Sequence, residues 1–133
     1  MRKLVLMLGI VVSVVLLALA IEVIAAEDGE VVVLRTLDES GAPIETRLWI
    51  VDHEGQPFLR AGNEGAGWFG RLRAKPEVEV VRGEETLLVR AVPEPAARER
   101  VNALMAEKYG WADAYIGAIF SRDDSVPVRL EPR

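Results

Sequence analysis

The first pattern along the chain is an unbroken apolar run. Leu4 to Ile21 (LVLMLGIVVSVVLLALAI) is eighteen residues without a charge, preceded by Arg2 and Lys3 and followed by Glu22, Glu27, Asp28 and Glu30. As a helix rising 1.5 Å per residue it spans about 27 Å, close to the roughly 30 Å hydrocarbon core of a bilayer. The run has no polar face, so it does not read as a buried core helix. Positive charge before it and negative charge after it put the N-terminus in the cytoplasm and the remainder outside. Two readings stand: an uncleaved single-pass anchor, or a signal peptide cleaved after Ala18-Leu19-Ala20. The run is longer than the usual signal-peptide core of about 7–15 residues, which favours the anchor. Residues 1–26 are therefore assigned to a signal-anchor or signal peptide and residues 27–133 to the folded domain. The expected location is a bacterial-type inner membrane with the C-terminal domain extracytoplasmic, or secreted or periplasmic if the leader is cleaved.

Beyond the run, the pattern changes to short β-branched and alternating segments. Val31–Leu37 is a β-branched strand, and Asp38-Glu39-Ser40-Gly41-Ala42-Pro43 is rich in turn formers. Ile44–Val51 roughly alternates, with Ile44, Thr46, Leu48 and Ile50 on one face and Glu45, Arg47 and Trp49 on the other. A hairpin loop at 52–56 leads to a third strand, Phe58–Ala61. Val78–Arg82 and Thr86–Val92 form a second hairpin around Gly83-Glu84-Glu85, and Val126–Leu130 is the last strand. Trp68, Phe69 and Leu72 have helical spacing, and Pro76 ends that helix near Ala74. Pro95 opens a second helix with an apolar stripe of Ala97, Val101, Leu104, Met105 and Lys108 or Tyr109, and Gly110 stops it. A further helix, Trp111–Phe120, is expected to bury Trp111, Tyr115, Ile116 and Ile119. Six short strands without βαβ alternation predict a mainly β fold, a small antiparallel barrel with two to three peripheral helices. Only about four or five residues, Glu27 to Glu30, link the run to the barrel, so the barrel should lie close to the bilayer.

Charge and composition remove several chemistries. The net charge is −5; setting aside Arg2, Lys3 and Glu22, residues 27–133 hold 14 basic and 20 acidic residues, a net −6. A nucleic-acid binder needs a basic surface, so the charge argues against that class. With no cysteine, there are no disulfides, Cys-ligated zinc, iron–sulfur clusters or thiol nucleophiles. The single histidine, His53, sits in a turn between two acids and reads as an exposed loop residue; no multi-histidine metal site is available. No pair of carboxylates has convincing catalytic spacing.

Two features could carry chemistry. Arg35, Arg47, Arg60, Arg82, Arg90 and Arg129 fall on or at the ends of strands, and Arg71 and Arg73 follow a glycine-rich loop. Guanidinium groups gathered on one site bind phosphate or carboxylate bidentately. The plainer reading pairs them with Glu45, Glu77, Glu79 and Glu84 on a solvated face. Gly62-Asn63-Glu64-Gly65-Ala66-Gly67, leading into the Trp68 helix, offers close backbone approach and free N–H groups for an anion. It matches neither a dinucleotide fingerprint nor a P-loop, and an ordinary connection explains it equally well.

The order of motifs resembles the deazaflavin-dependent nitroreductase family, flavin-binding split β-barrels related to pyridoxamine-phosphate oxidases. Ser40-Gly41-Ala42-Pro43 matches the family's turn after the first strand. Trp68-Phe69, Leu72, Lys75-Pro76 and Val78 match its second motif, and Val126–Pro132 its closing strand. The resemblance covers Val31–Pro132. It implies a six-stranded antiparallel split barrel, here preceded by one N-terminal transmembrane or signal helix, with a deazaflavin coenzyme or FMN in a groove. On matching positions the cofactor would meet Ala61, Gly62, Asn63, Gly65 and Trp68, with Ile44 and Arg47 nearby; Arg47, Arg60 and Arg71 would hold anionic tail groups and Trp68 would wall the pocket. Ile44 and Asn63 stand where the family carries basic residues. A homodimer is implied by resemblance alone.

Two functions follow. The first is a membrane-anchored flavin- or deazaflavin-dependent oxidoreductase, nitroreductase- or quinone-reductase-like, passing hydride from the bound cofactor to a quinone or nitro compound. The alternative is a non-catalytic anchored split-barrel binding module with a degenerate cofactor site. No metal is expected in either.

Overall fold

The computed structural model describes residues 1–27 and 29–133. The apolar run forms α1 (Arg2–Glu27), whose first nineteen residues are exposed and in which Ala25 is the one buried side chain. It is the one helix among the described residues long and apolar enough to cross a membrane.

The barrel strands are β1 (Val31–Leu37), β2 (Pro43–His53), β3 (Gln56–Ala61), β4 (Glu77–Arg82), β5 (Glu85–Pro93) and β6 (Val126–Pro132). They close in the order β1-β2-β3-β6-β5-β4, every pairing antiparallel, with β1 against β4 completing the ring. A closed ring leaves no strand edge exposed. The six-stranded antiparallel barrel predicted above is thus the fold. Strands other than β1 run one or two residues beyond the expected limits at an end, as at Asp52-His53 on Pro57-Gln56.

Alternation fills the interior. Val32, Leu34 and Thr36 of β1 point inward, as do Ile50, Leu59, Val80 and Val128 from neighbouring strands. One end of the barrel is plugged by α2 (Gly67–Ala74), whose Trp68, Phe69 and Leu72 join this core.

A second apolar cluster lies outside the barrel wall. Val51 and Phe58, paired across β2 and β3, are covered by Val101, Met105 and Tyr109 of α3 (Arg98–Tyr109). Ile50 faces in and Val51 faces out, yet both are buried, because helix covers the outer face here. Tyr109 ties the parts together. Its hydroxyl donates to the Glu30 carbonyl (2.6 Å) and accepts from the Ile50 N–H (3.0 Å), and its ring stacks on Trp49 at 4.2 Å. Gly29 passes over that ring with φ +76°, and a Cβ there would lie 3.1 Å from it. Only glycine fits without strain.

A 3-10 turn at Pro95–Ala97 precedes α3, and Gly110 (φ +53°) joins α3 to α4 (Trp111–Ile119). The expected packing of α4 is corrected. It buries Ala112 and Asp113, while Trp111 and Ile119 remain half-exposed. The inward face is fixed by a charged contact described below, not by the large apolar residues.

The helix α1 does not stand free of the barrel. Ala26 offers its carbonyl to Trp49 Nε1 (2.8 Å), Glu27 receives both arms of Arg47 (2.7 and 2.9 Å), and Ala18 accepts from the Tyr115 hydroxyl (3.0 Å).

Candidate functional site

Residues of β2 and β3 form the floor of a cavity of about 170 Å³ between the barrel wall and the helices, with Arg47, Trp49 and Arg60 on the outer face and Leu48 reaching it from the interior side. Arg47, Leu48 and Trp49 come from β2 and Arg60 from β3. Met105 of α3, Ile116 of α4, Ala26 of α1 and Arg122 complete it. Three arginines distant in sequence therefore line one space.

Their partners differ. Arg60 is almost fully enclosed, and its guanidinium donates to Asp113 Oδ1 (2.7 Å) and Asn102 Oδ1 (3.2 Å). Arg122 donates to the same Asp113 oxygen (3.0 Å), but its buried Nε has no hydrogen-bond partner among the described residues. Two cations thus share one carboxylate, leaving one positive charge in excess. Burial, and then the nearby Arg60, hold the Arg122 guanidinium below its usual pKa. An anion in the cavity would offset the excess charge. Arg47 stands at the rim, largely exposed and already paired with Glu27.

A second depression, of about 350 Å³, adjoins the first and shares Ile116 and Arg122 with it. Gly62, Asn63, Phe120, Ser121 and Asp124 complete its lining. Ligand pockets commonly occupy roughly 300–1,000 Å³, so the smaller cavity suits an anionic group and the pair together suits a larger molecule.

The other expected site residues lie elsewhere. Ala61 points into the barrel and is fully buried against the β6 ladder. Trp68 packs edge-on against Phe69 in the end plug, so its ring lines neither depression. The Gly65 N–H is taken by Asn63 Oδ1 (2.8 Å), and the Ala66 N–H by the Asn63 carbonyl (3.3 Å). That loop is a self-bonded turn with fewer free donors than its glycines suggest. Arg71 caps the barrel end through Thr36 Oγ1 (2.8 Å), away from the other arginines.

Most remaining strand arginines are paired on the surface. Arg35 meets Glu79 and Glu45, Arg90 meets Glu77, and Arg129 meets Glu94 and Glu131. Arg82 holds Asp52 (2.7 Å) and Glu30 (3.0 Å), and these hydrogen bonds lower both carboxyl pKa values, Lys108 adding to the effect on Glu30. His53 is half-buried against Phe58 beside Glu54. Among the described residues no cluster of three His, Asp or Glu could hold a metal.

Sequence reasoning missed Asp113, Asn102 and Arg122. Asp113 did carry a signal, as the one charge within the otherwise apolar α4. Arg122 lies in an ordinary polar turn and carried none.

The closed six-stranded barrel with one plugged end and helices over its outer wall recurs in other proteins. Solved structures share it. A conserved hypothetical protein from Mycobacterium tuberculosis matches with a TM-score of 0.59 at 20% identity, over 80% of this chain and 74% of that one. An F420-H2 dependent reductase matches at 0.58 and 24% identity, over 74% of this chain and 92% of that one. A Listeria innocua protein provisionally named pyridoxamine 5′-phosphate oxidase matches at 0.59 and 14%, over 84% and 90%. No protein-family model and no curated protein matches the chain. At these identities the likeness is one of fold, and at that level the expected resemblance holds.

Proposed function

We propose that this protein is a membrane-anchored oxidoreductase that binds a flavin or deazaflavin cofactor on the outer wall of its barrel. The observation carrying this reading is the cavity in which Arg60 and Arg122 share one counter-carboxylate, leaving an unpaired buried N–H. That donor set fits the phosphate or carboxylate tail of such a cofactor. Arg60 and Arg122 would hold the tail, Arg47 would close the rim, and the depression at Gly62, Asn63 and Ser121 would receive the planar ring. Ala61, Gly65, Trp68 and Arg71 support the site only indirectly, through the barrel and the loop. The bound group supplies hydride transfer; the chain supplies binding, orientation and a positive field. The acceptor class is a quinone or nitro compound. The N-terminal helix would anchor the chain as a single span, barrel outside, and a homodimer is compatible with the fold.

One observation favours the alternative, a non-catalytic anchored module. Arg47 and Arg60 each already have a carboxylate partner, so an incoming anion must compete with Glu27 or share with Asp113. Titration of the full chain in detergent with FMN and with deazaflavin coenzyme, followed by ring fluorescence, separates the two. The oxidoreductase reading expects saturable binding of one of them; no binding of either at tens of micromolar overturns it.

A further inference from the structure

Among the described residues outside α1, five large apolar side chains are about half exposed, and three of them, Trp111, Ile119 and Phe120, belong to α4 or directly follow it. Trp111, Tyr115 and Ile119 are four residues apart, so they lie on one face of the helix. Asp113, the one charged residue of α4, is turned inward onto Arg60 and Arg122. The outward face is therefore aromatic and aliphatic and carries no charge.

That face has a fixed height relative to α1. The Tyr115 hydroxyl donates to the Ala18 carbonyl at 3.0 Å. Ala18 lies three residues before the end of the uncharged run at Ile21, about 4.5 Å along the helix axis toward the membrane interior. Whatever surrounds the last turn of that run also surrounds the exposed side of α4. A helix with Trp and Tyr at that level matches the amphipathic ring belt of a bilayer interface.

We infer that α4 is an interfacial membrane helix, seating the barrel on the bilayer with Trp111, Ile119 and Phe120 in the acyl–headgroup boundary beside α1. This rests on the reading of α1 as a membrane anchor. The occupant of the face is lipid. One consequence concerns the arginine cavity, whose lining includes Ile116 of α4 and Ala26 of α1. Its helical wall stands at headgroup level, where a lipid-soluble molecule reaches it without crossing bulk water.

The chain has no cysteine, so single-cysteine variants carry one nitroxide each. The full chain is reconstituted in phosphatidylcholine–phosphatidylglycerol vesicles. Ile119→Cys and Phe120→Cys report on α4, Val12→Cys on the middle of α1, and Glu84→Cys on the exposed β4–β5 turn. Collisional access to oxygen and to a water-soluble nickel chelate is measured by electron paramagnetic resonance, and Trp fluorescence checks that each variant is folded. The expected result is several-fold greater access to oxygen than to nickel at 119 and 120, as at 12 and opposite to 84. Nickel access at 119 and 120 equal to that at 84, with 12 shielded, overturns the inference and leaves the anchor intact. Nickel access at 12 refutes the anchor reading and the inference together. Labels at 119 and 120 closed to both reagents and broadened by spin–spin coupling would identify a second copy as the occupant, and also overturn it.

Discussion

Replacing Asp113 with asparagine changes the electrostatics of the cavity while keeping its shape. In the native chain one carboxylate oxygen receives Arg60 at 2.7 Å and Arg122 at 3.0 Å. The side chains of Arg60 and Asp113 are 5% and 10% exposed, so solvent screens that pair little; Arg122, at 23%, is screened more. The substitution leaves two neighbouring guanidinium groups without a counter-charge. Removing one partner of a buried ion pair costs about 3–5 kcal/mol. Asparagine retains an oxygen to accept one hydrogen bond and Arg122 reaches water, so the low end, about 3 kcal/mol, is expected. For a domain of this size that lowers Tm by roughly 10–15 °C. Urea unfolding of the full chain in detergent, followed by Trp fluorescence, measures it. Two further arms identify the cause: Arg122→Gln in the Asp113→Asn background should recover part of the loss, and sulfate should stabilise Asp113→Asn more than the native chain. A loss of less than about 0.5 kcal/mol, within the range of ordinary surface changes, would refute the charge accounting.

Other expected outcomes follow from the same contacts. Tyr109→Phe removes the hydroxyl that bonds Glu30 and Ile50, and unfolding midpoints should show a loss of about 1–3 kcal/mol from the unsatisfied backbone groups. Gly29→Ala places a methyl 3.1 Å from the Tyr109 ring at φ +76°; the same assay should read about 1–3 kcal/mol of strain, with weakened near-UV dichroism from the Trp49–Tyr109 stack. Phe58→Ala empties the outer cluster beneath α3 and should cost about 3–5 kcal/mol. The carboxyls of Glu30 and Asp52 are held below their usual pKa by Arg82. Their contribution is therefore complete above the unfolded carboxyl pKa of about 4 and is lost as pH falls through the lower folded values. Unfolding midpoints should fall on acidification below about pH 4, and Arg82→Gln should flatten that fall.

Much of the fold was legible because period-two alternation and turn chemistry agree along the chain. Val31–Leu37 was bounded to the residue, and the other strands differ by one or two residues at polar or proline ends. Pro76 and Gly110 marked helix ends by backbone geometry alone, so α2 and α3 were readable too. The packing of α4 was not. Trp111 and Ile119 have the spacing of a buried stripe, but the buried ion pair from Asp113 to Arg60 sets which side faces in. Hydrophobic periodicity cannot foresee that, because the partner lies fifty-three residues away. The same limit applied to the site. Arg47 and Arg60 were identified by residue type and do share a cavity, whereas Arg122 entered it through a turn of no distinctive composition. In the glycine loop, Asn63 takes the N–H groups of Gly65 and Ala66, a local bond pattern that composition does not reveal.

Cofactor binding at the arginine cavity is measured most directly by titrating FMN and deazaflavin coenzyme into the native full chain and into Arg122→Gln. The glutamine variant removes the unpaired Nε and the excess charge but leaves the Arg60–Asp113 pair in place. Saturable binding to the native chain, weakened about tenfold or more in the variant and competed by inorganic phosphate, is the predicted result. Equal affinity in both chains, or no binding in either, would contradict it.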